Sequence, residues 1–232
     1  RQARGKAIVN LVELEKEEKI TAFVAVKEFK EGSYLFLATK KGIVKKTDLS
    51  AYGRPRQGGI RAISLAEGDD LVNALLTDGK KQILLATKKG NAVKFSEEDC
   101  RPIGRTGQGV IGIRLEEGDE VIGAILADDT KAVLTITENG YGKRSEIAEY
   151  RLIGRGGKGV INIQCSERNG EVVAVDSVSD EDEVMIISQT GIVIRMPCKG
   201  ISVIGRNTQG VRLMKLDEKD TVVSATKVAR EE

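Results

Sequence analysis

Histidine and tryptophan are absent from this chain of 232 residues, and only four Phe and four Tyr supply aromatic rings. Without His the commonest general base and the commonest zinc ligand are missing. So few rings leave no stacking platform for single-stranded nucleic acid. The three cysteines, Cys100, Cys165 and Cys198, lie far apart and form no C-x-x-C pair. Neither a disulfide framework nor a metal site is expected from them, and no cofactor is expected. No apolar run approaches membrane-spanning length and no signal peptide is recognisable, so a cytoplasmic location with no membrane association is expected. Only three prolines occur, and no Pro/Ser-rich linker breaks the chain, which reads as a single domain of residues 1–232.

What the chain has in quantity is glycine, 26 residues, and the glycines keep time. Gly5, Gly59, Gly109, Gly159 and Gly210 recur at spacings of 54, 50, 50 and 51. Gly42, Gly90, Gly140 and Gly191 recur at 48, 50 and 51. The first series marks a phrase, G-R-x-x-[QK]-G, seen as GRTGQGVIGI from Gly104, GRGGKGVINI from Gly154 and GRNTQGVRLM from Gly205, with a weaker copy from Gly53. A fixed period of this length denotes an array of like supersecondary units. The units run approximately 1–52, 53–103, 104–153, 154–204 and a partial 205–232.

The unit from Gly104 contains four short β-type runs: Val110 to Leu115, Val121 to Leu126, Ala132 to Thr137 and Tyr141 to Ser145. EEGDE and Asp128-Asp129 separate them, and Asn139-Gly140 is a tight hairpin signal. Four strands per period, with no sustained helical repeat, predict an all-β array of four-stranded blades resembling a propeller. Only the acidic segments near Glu97 and Glu146 read as brief helical turns. One such sheet is too small to stand alone, so blades must pack face to face around an axis.

The net charge of +2 conceals a pattern. Residues 62–87, 115–131 and 165–187 together hold 17 acidic and 4 basic side chains, whereas 39–61, 88–105, 138–158 and 189–212 hold 21 basic and 7 acidic. Charge thus alternates with the period of the fold, which predicts a basic band on one rim and an acidic band on another. The candidate DNA-binding residues are the hairpin cations Lys40, Lys41, Lys45, Lys46, Lys88, Lys89, Lys94, Lys143, Arg144 and Arg195, and the glycine-phrase cations Arg54, Arg56, Arg105, Arg155, Lys158 and Arg206. Their contacts to phosphates would be independent of base sequence and sensitive to salt. No catalytic residue is expected. GRGGKG (Gly154 to Gly159) lacks the Ser/Thr of a nucleotide-binding loop and no helix follows it. The carboxylates sit in repeated turns with no partnered base, and Tyr150 reads as a packing residue.

Several of these phrases resemble the C-terminal domain of the DNA gyrase A subunit: ARGKAIVNLVEL (Ala3 to Leu14), ITAFVAV (Ile20 to Val26), FKEG (Phe29 to Gly32), NGYGKR (Asn139 to Arg144) and GRNTQGV (Gly205 to Val211). The resemblance covers essentially the whole chain. It implies a six-bladed β-pinwheel, a propeller look-alike with different strand connections. It further implies a basic perimeter that wraps double-stranded DNA and so supports negative supercoiling by an ATP-dependent bacterial topoisomerase. The implied partners in the full protein are the ATPase B subunit plus a second A subunit, with the fragment itself monomeric. The family's heptapeptide Q-R-R-G-G-K-G is absent; Ile153 to Gly159 (IGRGGKG) is its nearest echo, and the chain is expected to begin just after the family's first blade. The family's nucleophilic tyrosine region and most of its acidic tail are also missing. Two other readings stay open: the matching domain of the topoisomerase IV A subunit, which binds DNA without the same chiral wrap, and a protein-binding propeller scaffold.

Overall fold

A computed structural model describes residues 18–54 and 59–228. In chain order the strands are Tyr34–Thr39 (β1), Ile43–Asp48 (β2), Leu71–Thr77 (β3), Gln82–Thr87 (β4), Asn91–Ser96 (β5), Val110–Ile111 (β6), Val121–Leu126 (β7) and Ala132–Thr137 (β8). There follow Tyr141–Glu146 (β9), Val160–Ile161 (β10), Val172–Val178 (β11), Glu183–Ser188 (β12), Val193–Pro197 (β13), Val211–Arg212 (β14) and Val222–Lys227 (β15).

The local seed of each blade is a tight hairpin: β1–β2, β4–β5, β8–β9 and β12–β13. Its turn ends on the recurring glycine, with φ between 76° and 89° at Gly42, Gly90, Gly140 and Gly191. That left-handed conformation strains any residue with a Cβ. A hydroxyl residue opens the same turn. Thr39 and Thr87 Oγ1 accept the amides of Ile43 and Asn91 at 3.2 Å, and Ser188 Oγ accepts that of Ile192 at 3.3 Å. A single-turn 3-10 helix follows every hairpin, at Leu49–Tyr52, Glu97–Asp99, Ile147–Glu149 and Cys198–Gly200. The two acidic segments read as helical turns from sequence are among them.

The sheets are all antiparallel, with orders β3-β1-β2-β6, β10-β5-β4-β7, β11-β8-β9-β14 and β13-β12-β15. The expectation that one 50-residue unit folds into one sheet is therefore corrected. In the unit from Gly104, β6 joins the first sheet, β7 the second, and β8 and β9 the third. The inner strand of each sheet follows its hairpin after 22–25 residues, a connection that carries the glycine phrase. The outer strand arrives from the glycine phrase 68–71 residues later: Ile43 pairs with Ile111, Asn91 with Ile161 and Tyr141 with Arg212. Period along the chain and sheet in space coincide in repeat length but not in membership. Four sheets are present among the described residues, where the resemblance implied six blades.

Alternate residues of one strand face opposite neighbours. Ile83 and Leu85 of β4 join Phe36, Ala38 and Val44 in a core between the first two sheets. Leu84 and Ala86 of the same strand pack with Val133, Ile147 and Tyr150 against the third. A further core joins Leu134 and Ile136 to Val184, Ile186 and Val222 of the fourth sheet. Because both faces of β4 and β8 are covered, their sequences ILLA and AVLTI read as apolar runs rather than as alternation. Each fully buried Leu or Ile contributes about 1.5–3 kcal/mol. The inner strands β3, β7, β11 and β15 adjoin one another in that order, leaving the glycine phrase and β6, β10 and β14 on the outer perimeter.

Candidate nucleic-acid interface

The fourth residue after each hairpin glycine is a cation: Lys46, Lys94, Arg144 and Arg195. In the first three hairpins that side chain is buried at the boundary with the next sheet. Lys46 Nζ donates to Glu97 O at 2.8 Å, Lys94 Nζ to Ile147 O at 3.1 Å, and Arg144 Nε to Ile201 O at 2.9 Å. Each acceptor belongs to the 3-10 turn of the following hairpin or to the residue just after it. Lys94 also reaches Asp129 at 2.9 Å, and Arg144 reaches Asp180 at 2.5 Å. These residues bolt blade to blade.

The preceding position carries Lys45 in the first hairpin and Lys143 in the third, and both are buried. Lys45 Nζ donates to Ala62 O at 2.7 Å and to Arg105 O; Lys143 Nζ donates to Gly205 O at 2.8 Å and to Arg206 O at 2.6 Å. Burial among carbonyls, with Arg105 or Arg206 nearby, pulls both ammonium groups down to about 8. Five expected surface cations, Lys45, Lys46, Lys94, Lys143 and Arg144, are thus corrected to interior clamps. Strand alternation turns Lys46, Lys94 and Arg144 into the inter-blade seam, and a side chain's orientation there depends on a neighbour the local sequence does not contain.

The hairpin tips bring a second correction. Lys40 pairs with Glu120 and Lys88 with Glu171, each at 2.9 Å. Hydrogen bonding to those carboxylates raises both lysines above the ordinary value. Lys41 and Lys89 are exposed, but their Nζ atoms rest on Glu67 O and Glu117 O at 2.5 Å. Their amides donate to Asp69 and Asp119 at 2.8 and 2.9 Å. The acidic turns therefore stand beside the basic tips on one face. Charges separated along the chain are re-paired in space there, instead of forming distinct bands.

The outer perimeter keeps its cations available. Arg155 spans from Asp99 O (Nε, 2.9 Å) to Ile111 O (Nη1, 3.1 Å). Arg206 bonds Ile161 O at 2.7 Å and lies over the Tyr150 ring, 5.4 Å from its centre. These bonds anchor each guanidinium across two sheets while leaving it half exposed. Arg105 holds the equivalent place one period earlier, and Lys158 is exposed in the phrase between them. Lys158, Arg206, Asn91 and Asn207 line an open recess of about 440 Å³ where two consecutive phrases meet, opposed by Glu116. Its two cations and two amides suit a phosphate group. Arg54 is exposed; Arg195 is exposed and pairs with Glu183 of its own hairpin. Arg56 lies outside the described residues, as do Ala3 to Leu14 and their phrase.

Sequence reasoning passed over four exposed perimeter cations, Arg61, Arg114, Arg212 and Lys215. They stand two or five residues after a recurring glycine, so the same offset count that found Arg105 would have found them. Among the described residues no cluster of His, Cys, Asp or Glu could hold a metal ion, and no helix is long and apolar enough to cross a membrane. The three thiols are free, and burial pushes each up to about 11. Tyr150 is buried, with its hydroxyl on Asn162.

The family model described as "DNA gyrase C-terminal domain, beta-propeller" matches residues 33–78, 81–128, 131–179 and 182–229. Each match holds one hairpin and its inner strand. The chain is 54% identical over 228 residues to the DNA gyrase A subunit of Halalkalibacterium halodurans, covering 98% of this chain and 27% of that protein. It is 46% identical over 229 residues to the DNA gyrase A subunit of Escherichia coli K12, covering 99% and 26%. It therefore spans about a quarter of the length of these relatives. Among solved structures it superposes on the C-terminal domain of DNA topoisomerase IV with a TM-score of 0.90 at 25% identity, covering 97% of this chain and 70% of that one. On the DNA gyrase A C-terminal domain the TM-score is 0.87 at 27% identity, covering 98% and 76%. Four matched repeats, end-to-end identity to gyrase A subunits and the shared β-pinwheel fold place this chain in the family of DNA gyrase A C-terminal domains.

Proposed function

We propose that the chain binds double-stranded DNA without regard to base sequence and bends it around the perimeter, contributing to negative supercoiling by gyrase. The observation that carries this reading is the row Arg105, Arg155 and Arg206, one per period, on the outer edge of successive sheets. Phosphates along a duplex meet such a row one after another. Lys158, Arg54, Arg61 and Arg212 extend it, and the exposed tips Lys41 and Lys89 flank it. The buried clamps take no part in contact; Lys45 and Lys143 fix the phrases whose carbonyls they hold, and Lys46, Lys94 and Arg144 fix the next hairpin's turn.

The energetics are compatible with wrapping. Bending a site of 20–30 bp by 40–90° costs about 1–6 kcal/mol. Engaging about 6–10 phosphates, each adding roughly −0.9 to the salt slope, offsets that at low salt. On this reading the domain works in the bacterial cytoplasm with the ATPase B subunit plus a second A subunit. The isolated domain is monomeric.

The test is topological. The protein is incubated with nicked circular DNA, the nick is ligated, and the linking number is read against salt. A protein-dependent shift that fades as salt rises is the expected result, and charge reversal of Arg105, Arg155, Lys158 and Arg206 together abolishes it. Absence of DNA binding at low salt overturns the proposal in favour of a protein-binding scaffold. The TM-score of 0.90 to the topoisomerase IV domain favours a second reading, DNA binding without a chiral wrap. Binding with no linking-number shift selects it.

A further inference from the structure

Two residues after the second glycine of each phrase the perimeter carries, in order, Arg61, Ile111, Ile161 and Arg212. The two outer members are cationic and exposed. The two inner ones are isoleucines on the outermost strands β6 and β10, with 47% and 42% of their surface in water. A lone exposed isoleucine carries no message. These two are repeated at the same register, and each is tied to a rim arginine: Arg155 donates to Ile111 O at 3.1 Å and Arg206 to Ile161 O at 2.7 Å. Arg155 and Arg206 are thus each held beside a branched apolar side chain. A backbone of alternating phosphate and sugar presents a matching alternation of anion and carbon face.

We propose that Ile111 and Ile161 pack against deoxyribose faces in the minor groove where the duplex is bent over the middle of the perimeter, and that they make the rim selective for DNA over double-stranded RNA. This rests on the DNA-binding reading above and specifies its ligand. The minor groove of RNA displays 2′-hydroxyls across its surface. An isoleucine offers those hydroxyls no hydrogen bond, so pressing it against RNA strands a polar group, whereas against deoxyribose it buries only carbon. The cations at either end of the path do not discriminate in this way, because both nucleic acids carry the same phosphates.

The test compares the full chain with Ile111→Ser/Ile161→Ser and the conservative Ile111→Val/Ile161→Val. Affinity for a DNA duplex and for an RNA duplex of the same sequence is read by fluorescence anisotropy between about 50 and 200 mM salt. In the serine pair, DNA affinity is expected to fall about tenfold, the loss of two apolar contacts. The slope of log K against log salt stays constant, because no phosphate contact is lost, and RNA affinity rises, because a serine hydroxyl can bond the 2′-hydroxyl that isoleucine strands, so the DNA preference collapses. The valine pair retains the preference. Unchanged DNA affinity in the serine pair overturns the inference and leaves the DNA-binding reading standing, as does a parallel loss on RNA. A wild-type chain that binds no duplex overturns both. Thermal melting of the variants checks that these surface changes leave the fold intact.

Discussion

Four hairpins share one sequence pattern, yet three are built into the array and the fourth stands at its side. Lys46, Lys94 and Arg144 are buried clamps; Arg195, at the same offset from its glycine, is exposed and, among the described residues, bonds Glu183 of its own hairpin. The glycines divide the same way. A Cβ on Gly42 or Gly140 would lie 2.7 or 2.5 Å from the carbonyl oxygens of Ile113 or Met214, and one on Gly90 would collide with Ile163 O. A Cβ on Gly191 meets nothing within 4 Å. Pattern alone therefore does not bury a residue here. The segment of the outer strand that arrives from the following phrase covers the glycine, and the 3-10 turn of the next hairpin covers the cation; β13 has no outer-strand partner among the described residues.

The sharpest way to break the comparison is at the glycines. Gly191→Ala should cost about 1–2 kcal/mol, the left-handed penalty alone. Gly90→Ala carries the same penalty plus a backbone clash, on a residue whose carbonyl also accepts from Asn162 and Ile163. Its loss is expected to exceed about 4 kcal/mol. Equal urea midpoints for the two variants would show that the outer strand does not set the difference.

Glu97 comes next. It is wholly buried, and accepts from Thr77 Oγ1 and the Lys81 amide at 2.7 Å beside Lys46. Removing it in Glu97→Ala leaves the buried Lys46 ammonium with the residue-97 carbonyl but no counter-charge, strands the Thr77 hydroxyl and the Lys81 amide, and is expected to cost about 3–5 kcal/mol by denaturant unfolding. The equivalent cations give a smaller contrast. Arg144→Ala loses charge-assisted bonds at the seam and should cost about 1.5–3 kcal/mol, against less than about 0.5 for Arg195→Ala at the surface. A loss at Arg195 as large as that at Arg144 would refute the division between built-in and edge hairpins.

The smallest effect concerns pH. Lys143 is held near 8 when folded, against 10.5 as its ordinary value. Between those limits the unfolded chain binds more protons at this site than the folded one, so this group's contribution to stability grows as pH rises. Lys143→Met removes that growth, and the stability gap between wild type and variant should be wider at about pH 9.5 than at about pH 7. A gap independent of pH would place the ammonium in a more water-like setting.

The strand content, the hairpin turns and the helical turns at Glu97 and Ile147 are legible in the sequence because period-2 patterning and Asn-Gly or Lys-Gly turns act within a few residues. The all-β blade array follows from the period. Strand membership is not legible. β6, β7 and β8 are consecutive in sequence, and nothing local says that each joins a different sheet. For the same reason the rim arginines of the phrase stand out, whereas Lys45, Lys46, Lys94, Lys143 and Arg144 pass for surface charge. Each has a carbonyl partner 51–63 residues away, and a carbonyl leaves no mark in a sequence.

The long reach of the outer strand also sets a timetable. In a chain made from its N-terminus, β2 remains an open edge until residue 111 has been synthesised, β5 until 161, and β9 until 212. An unpaired edge is an invitation to foreign strands. The nascent protein therefore trails at least one unfinished border behind the ribosome from β2 onward, and each new glycine phrase closes the border left two hairpins earlier while the next stays open.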